Sequence, residues 1–295
     1  MALTLAILSS VCFGVALVTG RVGLRALDAR SGAAISIPTA TVLFIVTAPF
    51  ALDFGGFDAR AALLFAAVGL FFPAIVTILT FRSNELLGPT ITGAVSGTAP
   101  LFALIAAALF LGERMPAQAV ASAVGVVVGV ALLSWKTGAV GKAFVGWSLL
   151  WPVAGAIVRG LAQVGAKAGL LVWGSPFAAS LISYAVSSAT VVGADRLRRS
   201  QNPPLTRASI AWFAGTGILN GSAVLLMYAA LSMAPVWAVA PVVASYPLIT
   251  AILGATVLHD EKLSWRVVTG AALTVAAIVY LVGSPVPDPS GASGQ

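Results

Sequence analysis

Three observations predict an all-α integral membrane protein of ten transmembrane helices, folded as two inverted five-helix repeats. Hydrophobic residues make up 59% of the 295-residue chain and charged residues 8%, against about 25% charged in ordinary soluble domains. Apolar runs of 18 or more residues recur along the sequence, each long enough to cross a bilayer. The third observation is a duplication. The segment Pro100 to Ser134 is an apolar run, a charged corner (Gly112-Glu113-Arg114-Met115-Pro116) and a second apolar run, and Pro247 to Val282 repeats it. Glu113-Arg114-Met115 answers Glu261-Lys262-Leu263 at an offset of 148, and Pro100 answers Pro247 at 147. Gly14, Ala16, Val18, Arg21, Gly23 and Leu24 answer Gly160, Ala162, Val164, Lys167, Gly169 and Leu170 at 146. Phe65, Ala66 and Gly69 answer Phe213, Ala214 and Gly217 at 148. A common offset over distant blocks marks one unit written twice.

The apolar runs give spans at 2–20, 32–52, 61–81, 88–111, 117–135, 145–168, 175–194, 208–231, 235–257 and 265–283. They are apolar on all sides, whereas a membrane barrel needs alternating strands of about ten residues, so the spans are read as helices. The first run is not a cleaved leader, because nine more follow and no polar mature chain begins after it. The longest connection, Asp195 to Arg207, is polar and Pro-containing. Residues 1–138 and 143–283 are read as the two repeats, and 284–295, rich in Pro, Ser and Gly, as a disordered tail. Five spans per copy turn the second copy upside down relative to the first. That is the inverted repeat of many secondary transporters, with a substrate site near the midplane.

Net charge is +7, but the basic residues sit between spans, a pattern of membrane orientation rather than of nucleic-acid binding. Loops after spans 1, 3, 5, 7 and 9 hold Arg21, Arg25, Arg30, Arg82, Lys136, Lys142, Arg196, Arg198, Arg199, Arg207, Lys262 and Arg266. The even-numbered loops hold Arg60, Arg114 and Lys167. The excess marks the cytoplasmic side and places both termini outside. The lone Cys12 excludes an internal disulfide and suggests no metal cluster.

The doubled pattern resembles the drug/metabolite transporter superfamily, in particular its EamA-type ten-helix members. Its specific parts are Pro100 with Gly112-Glu113-Arg114, and Ser245-Tyr246-Pro247 with Glu261-Lys262. The resemblance covers residues 2 to 283. It implies two five-helix repeats, export of small metabolites or drugs across a bacterial inner membrane, and a central cavity lined by helices 3, 4, 8 and 9. The second corner departs from the pattern, reading His259-Asp260-Glu261-Lys262. The loop Asp53 to Arg60 is acidic where many relatives are basic, and most relatives have inward termini, opposite to the charge count here. Four-helix multidrug exporters of the superfamily depend on a glutamate in the first span. No acid lies within residues 2–20, so their proton-coupled cation mechanism does not carry over.

Arg159 is the sharpest single feature, a charge near the middle of span 6. At that depth it costs at least about 2.5 kcal/mol on the most lenient insertion scale. All nine acids (Asp28, Asp53, Asp58, Glu85, Glu113, Asp195, Asp260, Glu261, Asp288) lie in loops, at span ends or in the tail. One reading has Arg159 in a wet cavity, taking an anionic substrate group through a bidentate contact. The other has it snorkelling or bonding backbone carbonyls. Gln163, one turn on, shares its face. Asn220, mid-span among Gly217, Gly221 and Ser222, faces either a cavity or a neighbouring helix through a structural hydrogen bond. Tyr228, Trp237, Ser245 and Tyr246 are candidates for an aromatic cavity wall with polar handles. Trp237 reads equally as an interface anchor. Trp135, Trp147 and Trp173, at span ends, read as belt residues. Ser96 and Thr98 either face the cavity or bond their own helix backbone. Pro73, Pro100, Pro241 and Pro247 interrupt spans 3, 4 and 9 and predict kinks. Gly125 and Gly129 form GxxxG, expected to pack span 5 on span 10. Glu113 and Glu261 read as corner caps or partners of nearby cations.

No GxSxG, CxxC, HExxH or phosphate loop occurs, and the single histidine, His259, lies in a charged corner. The sequence therefore reads as no enzyme and needs no cofactor. Its expected partners are a small-molecule substrate and the bilayer, not nucleic acid, in a monomer or homodimer. The leading reading is a secondary exporter of small organic metabolites such as amino acids, with a substrate site at Arg159, Gln163, Asn220, Tyr228, Trp237, Tyr246, Ser96 and Thr98. Alternatives are a proton-coupled multidrug exporter of hydrophobic cations, or a membrane scaffold or lipid-handling protein that transports nothing.

Overall fold

The computed structural model describes residues 1–53, 55–134, 145–197, 205–254, 256 and 265–283. The readings made for Trp135, for the His259–Lys262 corner and for the 284–295 tail lie outside the described residues.

The described residues form helices and no strand. In chain order they are α1 (Ala2–Gly23), α2 (Ala29–Ala51), α3 (Ala59–Phe71), α4 (Ala74–Ser96), α5 (Ala99–Ala106) with a π-helical turn Ala107–Leu111, and α6 (Ala117–Ser134). The second half holds α7 (Val145–Ser148), α8 (Leu150–Val172), α9 (Pro176–Leu197), α10 (Arg207–Met233), α11 (Val236–Val243), α12 (Tyr246–Leu253) and α13 (Trp265–Gly283). Among the described residues seven stretches are long and apolar enough to cross a membrane, and the apolar helices at Ala99–Leu111, Ala117–Leu132 and Val268–Leu281 are shorter.

Local chemistry sets the helix ends. Asp28 starts α2 by accepting from the Ser31 N–H at 3.4 Å, and Asp58 starts α3 by accepting from Arg60 and Ala61 at 2.8 and 2.9 Å. Thr206 and Ser209 form a reciprocal capping box at the start of α10. These caps satisfy amide donors that would otherwise be orphaned at the helix starts.

Several spans are broken where the sequence predicted kinks. Span 3 divides at the cis Phe72-Pro73 bond, and α4 then runs through residues 82–87, which the sequence reading placed in a loop. Arg82 and Glu85 stay helical there as a surface pair at 2.7 Å, one turn apart. The chain turns only at Gly88, whose φ of +79° suits glycine. Pro100 and Pro247 each sit in the first turn of a new helix, α5 and α12, where a missing N–H costs nothing. Pro241 does not break α11.

The packing exchanges the halves. Helix α1 packs on α10 while α8 packs on α3 and α4; α1 also meets α11 and α12 while α8 meets α5. Helices α2 and α9 pack together, as do α6 and α13. Paired glycines make the contacts close. A Cβ on Gly14 would lie 2.9 Å from the Tyr246 carbonyl, and one on Gly160 2.9 Å from the Ala99 carbonyl. Gly23 lies against the Phe213 ring as Gly169 lies against Phe65. The GxxxG pair behaves as expected: a Cβ on Gly125 would meet Ala277 at 2.8 Å, and Gly129 faces Thr274 and the Gly270 carbonyl.

Two tryptophan readings change. Trp173 is no belt residue: it is 3% exposed, its ring 5.2 Å from Phe57 and 6.2 Å from Phe65. The turn after α8 folds it inward. Trp237 is likewise buried, which removes the interface-anchor reading. Trp147, by contrast, is 84% exposed.

Candidate substrate-binding site

Arg159 is central to the site. Helix α8 carries it on the face turned to α1 and α3–α4, and only 8% of it is exposed. Three rings surround the guanidinium: Phe13 of α1 at 5.1 Å, Tyr246 of α12 at 5.6 Å and Phe72 at the α3–α4 break at 5.9 Å. Each desolvated contact of this kind stabilises a cation by about 0.5–2 kcal/mol. Together they offset part of the cost of holding the charge at this depth without neutralising it. No ion pair reaches Arg159 among the described residues, and its Nε has no hydrogen-bond partner. Among the described residues no carbonyl accepts from it.

The guanidinium opens onto a narrow cavity of two lobes, each about 30 Å³. Phe13, Thr80, Phe81, Arg159 and Asn220 line both lobes. Phe72, Pro73, Val76, Thr77, Tyr184 and Val224 complete the first; Ala16, Leu17 and Tyr246 complete the second. That space holds a water or two, so a metabolite requires the walls to part. The lining has one formal charge, positive, with hydroxyl and amide groups and aromatic walls. Such a surface recognises an anion on a partly apolar body.

Of the residues singled out by sequence, Arg159, Asn220 and Tyr246 meet at this cavity. Gln163 lies one turn from Arg159, 2% exposed, with its Oε1 unpartnered. Tyr228 is fully buried, its hydroxyl beside Ser183 and near enough to Tyr184 for the two to interact. Trp237 is in the core, and Ser96 is 2% exposed. None of these four is among the cavity-lining residues. Thr98, in the break between α4 and α5, donates to the Val95 carbonyl of α4 at 2.7 Å. Phe13, Phe72, Thr77, Thr80, Phe81 and Tyr184 were not singled out. The duplication could have found Phe13, which stands 146 positions before Arg159.

Larger hollows lie elsewhere. A groove of about 410 Å³ between α3 and α8 is lined by Ala67, Val68, Phe71, Val158, Leu161 and Ala162. It offers nothing polar and suits lipid chains. A crevice of about 350 Å³ holds Asp28, Arg30, Arg82, Glu85 and Trp151. There Asp28 caps its helix and Glu85 pairs with Arg82.

Compared with known families, residues 1–135 and 146–283 each match the EamA-like transporter family. The chain belongs to that family. This EamA-like chain is thus a multi-pass membrane transporter of the drug/metabolite type, as the doubled Pro and Gly-Glu corner suggested. A solved crystal structure superposes on it with a TM-score of 0.76, covering 95% of each chain at 16% identity, a likeness of fold alone. No curated protein matches.

Proposed function

We propose that this chain is a secondary transporter, acting as an exporter, for small organic metabolites that carry an anionic group, amino acids among them. One observation carries the reading: a buried guanidinium without a carboxylate, its Nε unbonded, facing a cavity with hydroxyl, amide and aromatic walls. A substrate carboxylate supplies what Arg159 lacks and the cavity provides nowhere else. Residues 1–138 and 143–283 form the two repeats, ten spans in all and inverted with respect to each other. The exchange of packing partners between halves supports alternating access around the cavity between them. Arg159, Asn220 and Tyr246 contact substrate; Gln163, Tyr228, Trp237, Ser96 and Thr98 surround that contact. The protein works in the bacterial inner membrane as a monomer or homodimer, with both termini outside by the distribution of Lys and Arg.

The test is flux into liposomes carrying purified protein, with anionic, neutral and cationic metabolites, for wild type and Arg159→Gln. Wild type moves carboxylates, and the folded Arg159→Gln variant loses them selectively. Unchanged carboxylate flux in the variant removes Arg159 from the site. Selective movement of cations instead supports the multidrug reading.

A further inference from the structure

Helix α8 carries Arg159, Gln163 and Lys167 four residues apart, on one face. All three are buried, at 8%, 2% and 8% exposure. A helix rises 1.5 Å per residue, so this line covers about 12 Å. It begins at the cavity and ends at the turn joining α10 to α11. There the Lys167 Nζ donates to the Leu231 carbonyl at 2.7 Å and the Ala234 carbonyl at 3.1 Å. The same turn is held from the other half of the chain. Both Glu113 carboxylate oxygens lie 3.1 Å from the Val236 N–H, which donates to them. Glu113 and Lys167 are near enough for their charges to interact. The sequence reading ended this span at residue 168 and counted Lys167 with the loop charges, but α8 continues to Val172.

The first half shows what is particular here. The matching line on α1 is Phe13, Leu17 and Arg21. Its end also holds a backbone carbonyl, with Arg21 Nη1 donating to the Asn84 carbonyl of α4 at 2.8 Å, one turn before the break at Gly88. Its middle is apolar, whereas the line on α8 is polar at all three positions and leaves the Gln163 Oε1 unbonded. A buried row of polar and charged groups is costly in a membrane protein, and intramembrane ionisable groups mark solute pathways.

We propose that Gln163 and Lys167 continue the translocation path beyond Arg159, and that the Lys167–Glu113 clamp on residues 231–236 is its closed gate. When the clamp releases, the ammonium exchanges its carbonyl partners for the substrate anion, which passes from Arg159 to Lys167. The inference rests on the transporter reading but not on which solute is carried.

The experiment reads thiol reactivity without substrate, so it stands or falls apart from the flux result for Arg159→Gln. With Cys12→Ser as background, Gln163→Cys is introduced and the protein placed in liposomes. A membrane-impermeant thiosulfonate is added to each face, and modification is followed by mass. Modification is slow with the clamp intact. It rises at least tenfold, from one face, when Lys167→Gln or Glu113→Gln is added, and stays slow with Lys167→Arg, which keeps the cation. Thr80→Cys, in the cavity, keeps its rate in every background. Unchanged reactivity of the Gln163→Cys thiol in both clamp variants overturns the proposal. So does an equal rise at Thr80→Cys, which marks general loosening.

Discussion

Thr98 and Ser245 stand 147 positions apart and make the same bond: each hydroxyl donates to the carbonyl three residues earlier, at 2.7 Å in both. Each precedes the first turn of a proline-started helix. The broken helices of the two halves are thus built by one device. The sites differ in one respect, since Ser245 also meets the Ser10 hydroxyl of α1 at 3.0 Å. Ser245→Ala therefore leaves Ser10 without that partner, while Thr98→Ala strands no second side chain. A single such bond in a membrane protein contributes about 0.6 kcal/mol. Ser245→Ala is expected to lose about twice what Thr98→Ala loses in denaturant titrations of micelle-held protein. Equal losses would show that the Ser10 bond contributes nothing.

Tyr184 separates stability from function. It is 1% exposed, lines the cavity and has an unpartnered hydroxyl. Removing a buried polar group that makes no bond is neutral or stabilising. Tyr184→Phe should keep or raise Tm while weakening carboxylate uptake several-fold. A lower Tm with normal uptake would assign the hydroxyl a structural bond.

Arg159→Lys retains the charge but loses the planar fork that grips both oxygens of a carboxylate. Losing about 1.4 kcal/mol of binding is a tenfold change. Flux at subsaturating substrate should fall about tenfold in this variant and further in Arg159→Gln. Full activity of the lysine variant would reduce the role of Arg159 to charge alone.

Close packing makes a ranked prediction. A Cβ at Gly217 would strike the Ser36 carbonyl, and one at Gly169 the Phe65 ring. Overpacking costs typically about 1–3 kcal/mol, less where a side chain can yield. Gly217→Ala should lower Tm more than Gly169→Ala does, with the order reversed only if α2 shifts more easily than the ring.

Arg159 was legible because a charge in an apolar run is conspicuous whatever the helix rotation. The Pro and Gly-Glu corners were legible because the chain repeats them. Asn220, a mid-span amide, and Tyr246 in the Ser-Tyr-Pro motif were legible too; the remaining walls of the cavity were not. Phe72, Thr77, Thr80 and Tyr184 are unremarkable in membrane spans, and only packing angles turn them to Arg159. Belt assignment failed for Trp173 because position at a span end does not say which way the following turn folds. Lys167 was put at the edge of its span for a related reason: a cation reads as a span end, yet carbonyls at the α10–α11 turn accommodate it further in. Glu113 was read as a corner cap, and it caps the turn of the opposite half.

Phe13 and Arg159 hold the same position in the two copies, and they face each other across the cavity at 5.1 Å. The duplicated halves are thus least alike where they meet: one brings a ring and the other a cation to the same place, so the cavity has one charged wall and not two.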